Sequence, residues 1–233
     1  MATLIEIRRA QTFPVLLIDG GDFFNPYPYY ELNDAALKIL NVLQPDGFLT
    51  AEQEFQEDEK LIERLFKILP VLGSNFKYNS YPKSELIVRL LQDHKKLVIL
   101  GYLSPESFPG QLPGKLIFSE KQFQSIYNSL EKNSIIVVAF HGSKAALDRF
   151  LTDYPKTDLV LWAHAQSRLT NISGKPTVVG GGSDGEHLIL IDLIFNKKKE
   201  LLIQVERIPV SKKIPPNTAV KKIIEDFNKK IKQ

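Results

Sequence analysis

The feature that most constrains the fold of this chain is a series of short apolar runs, rich in β-branched residues, that recur along its length. Runs of this kind are typical of strands that are buried on both faces of a sheet. The predicted strands span residues 15–18, 97–100, 135–140, 159–162, 177–179 and 188–195. Because longer stretches with helical periodicity separate them, the sequence predicts an α/β fold.

The stretches between the predicted strands carry apolar residues at spacings of three and four, which is the pattern of an amphipathic helix that covers a sheet. These predicted helices span residues 34–43, 57–69, 83–92, 120–130 and 144–151. Near the end of the chain, the run 188–195 is followed by a charged turn at 196–199 and a second run at 201–208, which indicates a hairpin. A hairpin is antiparallel, so a mixed sheet is predicted.

A last helix-like stretch begins after Pro215 and Pro216 and carries its apolar residues on one face. Those residues are Val220, Ile223, Ile224, Phe227 and Ile231. The pattern predicts a terminal helix that docks on the rest of the molecule. A helix that lies on a membrane surface is the alternative.

Composition argues against several classes of function. The chain has no cysteine, which removes disulfides, thiolate metal sites and cysteine nucleophiles. Its net charge of +3 comes largely from lysines at 197–199 and 221–232, and lysines without interleaved aromatic residues do not favour nucleic acid as a partner. No run approaches the roughly 18 to 20 apolar residues of a membrane-spanning helix, so no membrane span is expected.

Three side chains that can bind metals stand just after predicted strands. They are Asp22, which follows a glycine turn, His141 and His164. One such residue alone is more often a turn cap or a hydrogen-bonded structural residue. Three of them predict a shared site, because open α/β sheets bind ligands at the ends of their strands. Carboxylate and imidazole together suit zinc, manganese or iron.

Other candidate residues carry less weight. His94 lies in a charged segment and is expected to be solvated, and His187 is expected at a strand edge. The glycine run 180–185 lacks the Gly-Lys-Ser/Thr ending of a phosphate loop and precedes a strand, so a turn is predicted. Ser143 has no Gly-x-Ser-x-Gly context, which argues against a serine hydrolase.

The order of several segments is that of a known family. Residues 17–24 carry a strand that ends in a Gly-Asp motif, and residues 2–9 and 31–36 match the helices on either side of it. Residues 70–75 are similar to a Pro-x-Leu-x-Ala-Asn strand, and residues 177–182 are similar to a closing glycine strand. On these motifs the chain resembles, over nearly its whole length, the calcineurin-like metallophosphoesterase domain of the 5′-nucleotidase and UDP-sugar hydrolase family.

This resemblance implies a four-layer αββα sandwich of two mixed sheets. It assigns residues 1–210 to the metallophosphoesterase-like domain and residues 211–233 to a C-terminal linker or docking helix. The family's first strand, which carries an Asp-x-His motif, would precede residue 1, so this strand is expected to be missing from the sequence. The resemblance also implies an exported protein, whereas the opening residues carry charges where a signal peptide needs an apolar stretch.

Carried over residue by residue, the resemblance implies a two-metal site of which this chain keeps one half. Asp22 matches the bridging ligand, and His141 and His164 match ligands of the second metal. Glu52 stands where that metal would have an asparagine ligand. The chain is therefore expected to bind one divalent ion, zinc, manganese or iron, or none.

The same resemblance predicts that the enzyme is degenerate. Gln53 stands where the family has its catalytic histidine, and Gln166 stands where it has another metal-binding histidine and should lie beside the site without coordinating. In this family the attacking hydroxide bridges two ions about 3.5 to 4 Å apart, which one ion cannot reproduce. Gln53 also cannot transfer a proton as an imidazole does.

The proposed ligands make a geometric prediction. The ligating atoms of Asp22, His141 and His164 must lie within a few Å of each other. Glu52 is longer than asparagine by one methylene, so it either reaches the same point or turns away to pair with a cation such as Arg168.

The domain is therefore predicted to be catalytically inactive or weak and to act as a binding or scaffold protein. A protein partner is expected at the open sheet or at the aromatic loop that begins at Phe23 and ends at Tyr30, although packing of this loop over the sheet end is an equal alternative. The alternative function is an active divalent-metal-dependent phosphoesterase, similar to a nucleotidase, that uses the same four metal-binding residues.

Overall fold

The computed structural model of this protein describes residues 1–232 except 12, 28, 82, 92–94, 109, 111, 165–170, 173 and 183. In this part of the chain the strands are β1 (Ile18–Asp19), β2 (Gly47–Phe48), β3 (Phe76–Tyr78), β4 (Leu86–Leu90), β5 (Lys96–Leu103), β6 (Leu116–Phe118), β7 (Ile135–His141), β8 (Leu159–Ala163), β9 (Asn171–Ile172), β10 (Thr177–Gly180), β11 (His187–Phe195) and β12 (Leu201–Pro209). The helices are α1 (Ala2–Arg9), α2 (Tyr30–Leu43), α3 (Glu59–Ile68), α4 (Glu120–Ser129), α5 (Lys144–Asp153) and α6 (Thr218–Lys230).

The centre of the fold is a six-stranded sheet with the strand order β4-β5-β7-β8-β10-β9. Its inner strands are parallel to one another, and β4 and β9 lie antiparallel to their neighbours at the two edges. All residues of β7 are buried, which explains the unbroken apolar run at 135–140. The sheet is therefore mixed, as the sequence predicts.

The two faces of this sheet pack against different partners. On one face, Ile136 and Val138 join a cluster with Phe123 of α4 and Phe150 of α5. On the other face, a larger cluster includes residues of β1, β2, the β11–β12 hairpin, α2 and α3. Helix, sheet, sheet and helix follow one another, which confirms the predicted four-layer architecture.

The second β-layer consists of two separate pairs. β1 pairs in parallel with β2, and β11 pairs with β12 in an antiparallel hairpin. Ile189 and Leu193 of the hairpin, together with Ile203, are half-buried against the larger cluster. Within the described residues, β2 is the one strand that pairs with β1, so the other edge of β1 has no strand partner there.

Two predictions from the sequence were wrong in part. Residues 83–92 do not form a helix, because β4 (Leu86–Leu90) is an edge strand paired with β5. Buried Ile87 next to exposed Val88 is the pattern of a strand with one covered face, and pairing with the edge of β5 overrides the helical spacing. The strand predicted at 15–18 is shortened and shifted, since only Ile18–Asp19 is paired.

The terminal helices meet beside α2. The side chain of Asn217 donates to Glu6 Oε1 at 2.7 Å, and the rings of Tyr29 and Phe227 meet edge to face at 6.3 Å. The terminal helix expected after Pro216 is α6, and it packs on α2. Among the helices that the structure describes, none is both long and apolar enough to cross a membrane.

Candidate metal centre

The candidate site lies at the edge where β1, β7 and β8 end. The carbonyl of Gly20, just after β1, lies 2.7 Å from Nδ1 of His141. A Cβ on Gly20 would lie 2.6 Å from the Cβ of Ala163, and Ala163 is the register neighbour of His141. These three strand ends therefore gather at one edge, as the sequence predicts.

Asp22 is presented by a tight turn that glycine makes possible. Gly21 has φ 86°, and a Cβ there would lie 2.2 Å from the carbonyl oxygen of Leu49. Asp22 has φ 57°, in the left-handed region that aspartate tolerates better than most residues. Backbone in this region is strained and occurs at functional sites where the surroundings hold it in place.

The two histidines are held differently. His141 is the last residue of β7 and is fully buried. Because the Gly20 carbonyl can only accept a hydrogen bond, Nδ1 of His141 carries a proton. Nε2 therefore faces the site, and it offers a lone pair there once the ring has lost its second proton. His164 follows β8 with φ 67° and is partly exposed.

The carboxylates of Asp22 and Glu52 face both imidazoles. His141 Nε2 lies 3.3 Å from Asp22 Oδ2 and 3.1 Å from Glu52 Oε2. His164 Nδ1 lies 3.6 Å from Asp22 Oδ2 and 2.9 Å from Glu52 Oε1. One ligand atom from each side chain can be chosen so that all four lie within 4.8 Å of one another. The predicted convergence is present, and Glu52 reaches the same point.

Without an ion, attraction between protonated imidazoles and ionised carboxylates holds these four side chains together. Burial lowers the pKa of His141, but the adjacent carboxylates of Asp22 and Glu52 outweigh it and raise that pKa to about 10. Hydrogen bonds to the same carboxylates raise the pKa of His164 to about 9. Burial opposes ionisation of the carboxyl groups, yet the imidazoles hold the pKa of both below the usual range. Near neutral pH, both imidazoles are therefore cationic and both carboxylates anionic.

The donor set fits one divalent ion. Glu52 Oε2 and His141 Nε2 are buried and lie 3.1 Å apart, but neither atom makes a well-aligned hydrogen bond, and buried polar atoms rarely stay in that state. Atoms that bind one ion tetrahedrally at about 2.0 to 2.2 Å lie about 3.3 to 3.6 Å from each other. The four nitrogen to oxygen distances, from 2.9 to 3.6 Å, are close to that spacing, with Glu52 facing His141 through Oε2 and His164 through Oε1. A set with one atom from each side chain lies within 4.8 Å, so the side chains would close in slightly around an ion. Two carboxylates and two imidazoles suit an ion of the zinc, manganese or iron class.

Other residues singled out in the sequence do not join this cluster. Gln53 contributes its backbone N–H, which donates to Asp22 Oδ1 at 3.2 Å. Ser143 is the N-cap of α5, where its hydroxyl accepts a hydrogen bond from the N–H of Ala146. His187 is the first residue of β11 and lies opposite Pro209 of β12. Outside the described residues lie His94, Gln166 and Arg168.

The aromatic loop between Phe23 and Tyr30 divides into two parts. Phe24 is buried in the larger core cluster, and Phe23 packs against that cluster. Tyr27 is 78% exposed, and Tyr29 and Tyr30 are also exposed. The loop packs over the sheet end with its first residues and leaves its tyrosines at the surface.

Sequence reasoning missed the residues that hold the ligands in place. Glu54 is fully buried and bonds to the loop that carries Asp22. Burial raises the pKa of Asp19 to about 6, and its carboxylate accepts from the N–H of Gly21 at 3.0 Å. The sequence does hint at these residues, because the segments 19–22 and 52–54 together contain four acidic residues and no lysine or arginine.

Comparison with known proteins identifies the fold. No protein-family model matches the chain, and no curated protein matches it in sequence. The sulfate thiohydrolase SoxB of Thermus thermophilus matches with a TM-score of 0.82 at 17% identity, covering 98% of this chain and 46% of that one. A 5′-nucleotidase precursor, also from Thermus thermophilus, has a TM-score of 0.75 at 17% identity, with 99% and 52% covered. The NAD nucleotidase NadN of Haemophilus influenzae has a TM-score of 0.72 at 14% identity, with 98% and 59% covered.

These three neighbours have the calcineurin-like metallophosphoesterase fold, and they confirm that this chain has it too. At 14% to 17% identity, the likeness concerns the fold alone. The chain spans about half the length of these structures, from 46% to 59%.

Proposed function

We propose that this chain binds one divalent metal ion through Asp22, Glu52, His141 and His164, and that its phosphoesterase activity is absent or weak. The observation that carries the proposal is the convergence of these side chains around two buried atoms, Glu52 Oε2 and His141 Nε2, that make no well-aligned hydrogen bond. In the ranges that the structure describes, no second group of three or more metal-binding side chains converges. The described residues therefore support one ion, whereas the two-metal mechanism needs a pair.

When bound, the ion supplies Lewis-acid and electrostatic chemistry to an anionic ester at the strand ends. The residues of the chain hold and orient the site. The Gly20 carbonyl fixes the ring of His141, as is usual for metal-binding histidines. Gln53 has an amide that can donate a hydrogen bond but cannot transfer a proton, so a contribution of about 10² to 10⁴ in rate is absent at that position.

Metal content tests the binding part of this proposal. Protein that has been dialysed against Zn²⁺, Mn²⁺ or Fe²⁺ and then passed through a desalting column should retain about one ion per chain by elemental analysis. Retention of two ions would contradict the single site, and retention of none would contradict the site itself.

Hydrolysis of a generic aryl phosphate with added Mn²⁺ tests the catalytic part. Turnover should be near the background without protein. A second candidate is an active phosphoesterase, and it is favoured by one observation, since the solved neighbours are described as a thiohydrolase and as nucleotidases. A rate typical of enzymes, about 1 to 10³ per second, that Asp22→Ala abolishes would establish this second candidate.

A domain with little activity acts by binding, and we propose the exposed tyrosines of the aromatic loop as the surface for a protein partner. Tyr27, Tyr29 and Tyr30 are exposed there, and tyrosine is enriched at interfaces because it combines apolar area with a polar hydroxyl. A photoreactive residue in place of Tyr27 should crosslink a protein in the native host. The same residue in place of exposed Lys156 is the control, and equal crosslinking from both positions would contradict the proposal.

A further inference from the structure

Glu54 is a buried carboxylate whose hydrogen bonds all come from the main chain of the ligand loops. Its Oε1 accepts from the N–H groups of Phe23 at 2.8 Å and Phe24 at 3.1 Å. Its Oε2 accepts from the N–H groups of Asp22 at 3.1 Å and Ala51 at 2.8 Å. The side chain is fully buried. Each oxygen therefore engages two donors, which fills the usual capacity of a carboxylate.

Three of these N–H donors belong to consecutive residues of the chain. The turn through Gly21 and Asp22, both with positive φ, points the N–H groups of Asp22, Phe23 and Phe24 toward one place. Successive N–H groups in such a conformation form a concave site for an anion. The carboxylate of Glu54 is the anion that occupies this site. Its four charge-assisted hydrogen bonds stabilise the strained, left-handed backbone conformation of Asp22.

The fourth donor links the two loops. Because Ala51 precedes Glu52, the bond from its N–H fixes the start of the turn that presents Glu52. A reciprocal bond runs in the opposite direction, since Asp22 Oδ1 accepts from the N–H of Gln53 at 3.2 Å. The loop after β1 and the turn after β2 are therefore tied to each other on both sides of the candidate ligands.

We propose that Glu54 is the positioning residue of the metal centre, which holds Asp22 and Glu52 at the separation that one ion requires. The inference rests on the proposed metal site. Glu54 does not itself bind the ion, because both of its oxygens are engaged by N–H groups on the ligand loops.

The substitution Glu54→Gln tests this role with almost no change in shape. Each carboxylate oxygen accepts two N–H groups, so either orientation of the new amide places its NH₂ group against two donors. The loops should separate and the candidate ligands should move apart. We expect the Kd for Co²⁺ to rise about 10-fold to 100-fold, as for other residues that orient metal ligands. The visible absorption spectrum of the bound Co²⁺ should change as well, because it reports the coordination geometry.

Glu57→Gln is the matched control. Glu57 is a buried glutamate of the same segment, and its carboxylate accepts from the side chain of Asn33 and from the N–H of Asp58, neither of which is on a ligand. Both variants should lose stability, but Glu57→Gln should keep the wild-type Co²⁺ spectrum and a Kd within about twofold of the wild type.

The outcomes separate this inference from the proposed function. Wild-type protein that binds no Co²⁺ would overturn both. Wild-type binding with an unchanged Kd and spectrum in Glu54→Gln would overturn the positioning role alone. If Glu54→Gln does not fold, Glu54→Asp keeps the charge but is one methylene shorter, and it should show a smaller loss of Co²⁺ affinity in the same direction. A wild-type Kd and spectrum in Glu54→Asp, when Glu54→Gln fails to fold, would equally overturn the positioning role.

Discussion

The two halves of the candidate metal centre are held in place in different ways. The imidazole half consists of His141, the last residue of β7, and His164, which follows β8. The ladder of hydrogen bonds between these neighbouring parallel strands fixes the separation of the two histidines. The carboxylate half, Asp22 and Glu52, stands on two loops that are tied together largely through Glu54. A ladder contains many bonds and the loops depend on few, so single substitutions should move the carboxylates more easily than the imidazoles.

Few contacts join the two halves. One is the hydrogen bond between the His141 ring and the Gly20 carbonyl, and the others are the protons that the imidazoles share with the carboxylates. The arrangement of the halves should therefore respond to pH and to metal as well as to mutation.

The largest effect should come from pH, because an ion must displace the protons that join the halves. The pKa of His141 is raised to about 10 and that of His164 to about 9, so both are protonated at pH 7. Binding should release about two protons, and the apparent affinity for Co²⁺ should rise by up to about 100-fold per pH unit near pH 7 to 8. Calorimetric titrations in buffers of different ionisation enthalpy count these protons. A proton release near zero would show that the imidazoles are neutral before the ion binds.

The metal-free protein should show the opposite trend at high pH. The raised imidazole pKa values stabilise the fold fully below the unfolded value near 6.5, and this stabilisation is lost as pH rises through about 9 to 10. The lowered carboxyl pKa values stabilise the fold above the unfolded values near 4, and that part is lost as pH falls. In EDTA, the contribution of this cluster to the unfolding temperature should be greatest at about pH 4.5 to 6.5.

At a fixed pH, Asp22→Ala should have the next largest effect. Its Oδ2 faces both imidazoles, and its Oδ1 accepts from the N–H of Gln53, so the substitution removes a ligand and a tie between the loops. Co²⁺ affinity should fall at least about 100-fold, beyond the loss that residues around a ligand cause. Asp34→Ala is the control, because Asp34 pairs with Lys38 and Arg64 away from the site. Equal affinities in the two variants would exclude Asp22 as a ligand.

Alanine at each histidine should separate their structural roles. His141→Ala leaves a buried cavity and an unpaired Gly20 carbonyl, so the free energy of unfolding in EDTA should fall by about 2 to 4 kcal/mol. His164 is partly exposed, and its replacement should cost less than about 1 kcal/mol. Denaturant unfolding measures both values. Similar losses of unfolding free energy in the two variants would show that His141 contributes no more to the stability of the fold than His164 does.

An effect smaller than that of His141→Ala should come from Gly20→Ala, which alters the contact between the halves without replacing a ligand. The new Cβ would lie 2.6 Å from the Cβ of Ala163, and such overpacking typically costs about 1 to 3 kcal/mol in stability. Gly181→Ala is the control, because a Cβ there meets nothing within 4 Å. If the two variants unfold at the same denaturant concentration, the prediction is wrong, because the end of β1 can then move away from β8 without a loss of unfolding free energy.

The sequence predicts the imidazole half well and the carboxylate half less completely. His141 and His164 follow long apolar runs, and neighbouring parallel strands must end at the same edge of a sheet, so their proximity follows from the pattern alone. The pattern indicates Asp22 in the same way. Only the family resemblance indicates Glu52, because this residue stands in a turn without periodicity.

The role of Glu54 could not be predicted from its surroundings in the sequence. Its partners at 22–24 are about thirty residues away, and the bonds form only because β1 and β2 pair in parallel and bring both loops to one end. The error at β4 has a related cause. Whether residues 83–92 become a helix or a strand depends on the free edge of β5, which local spacing does not report.

The bond between His141 and the Gly20 carbonyl also has a consequence for the lifetime of the protein. It connects a strand of one β-layer to a loop of the other, so an ion bound beside it would link the two layers more strongly. Each tenfold rise in the concentration of free ion above the Kd would then add about 1.4 kcal/mol to the free energy of unfolding. Cellular proteases cut the open forms of a protein, whose population falls in the same proportion. The supply of metal would then help to set the abundance of this protein, whether or not a reaction takes place at the site.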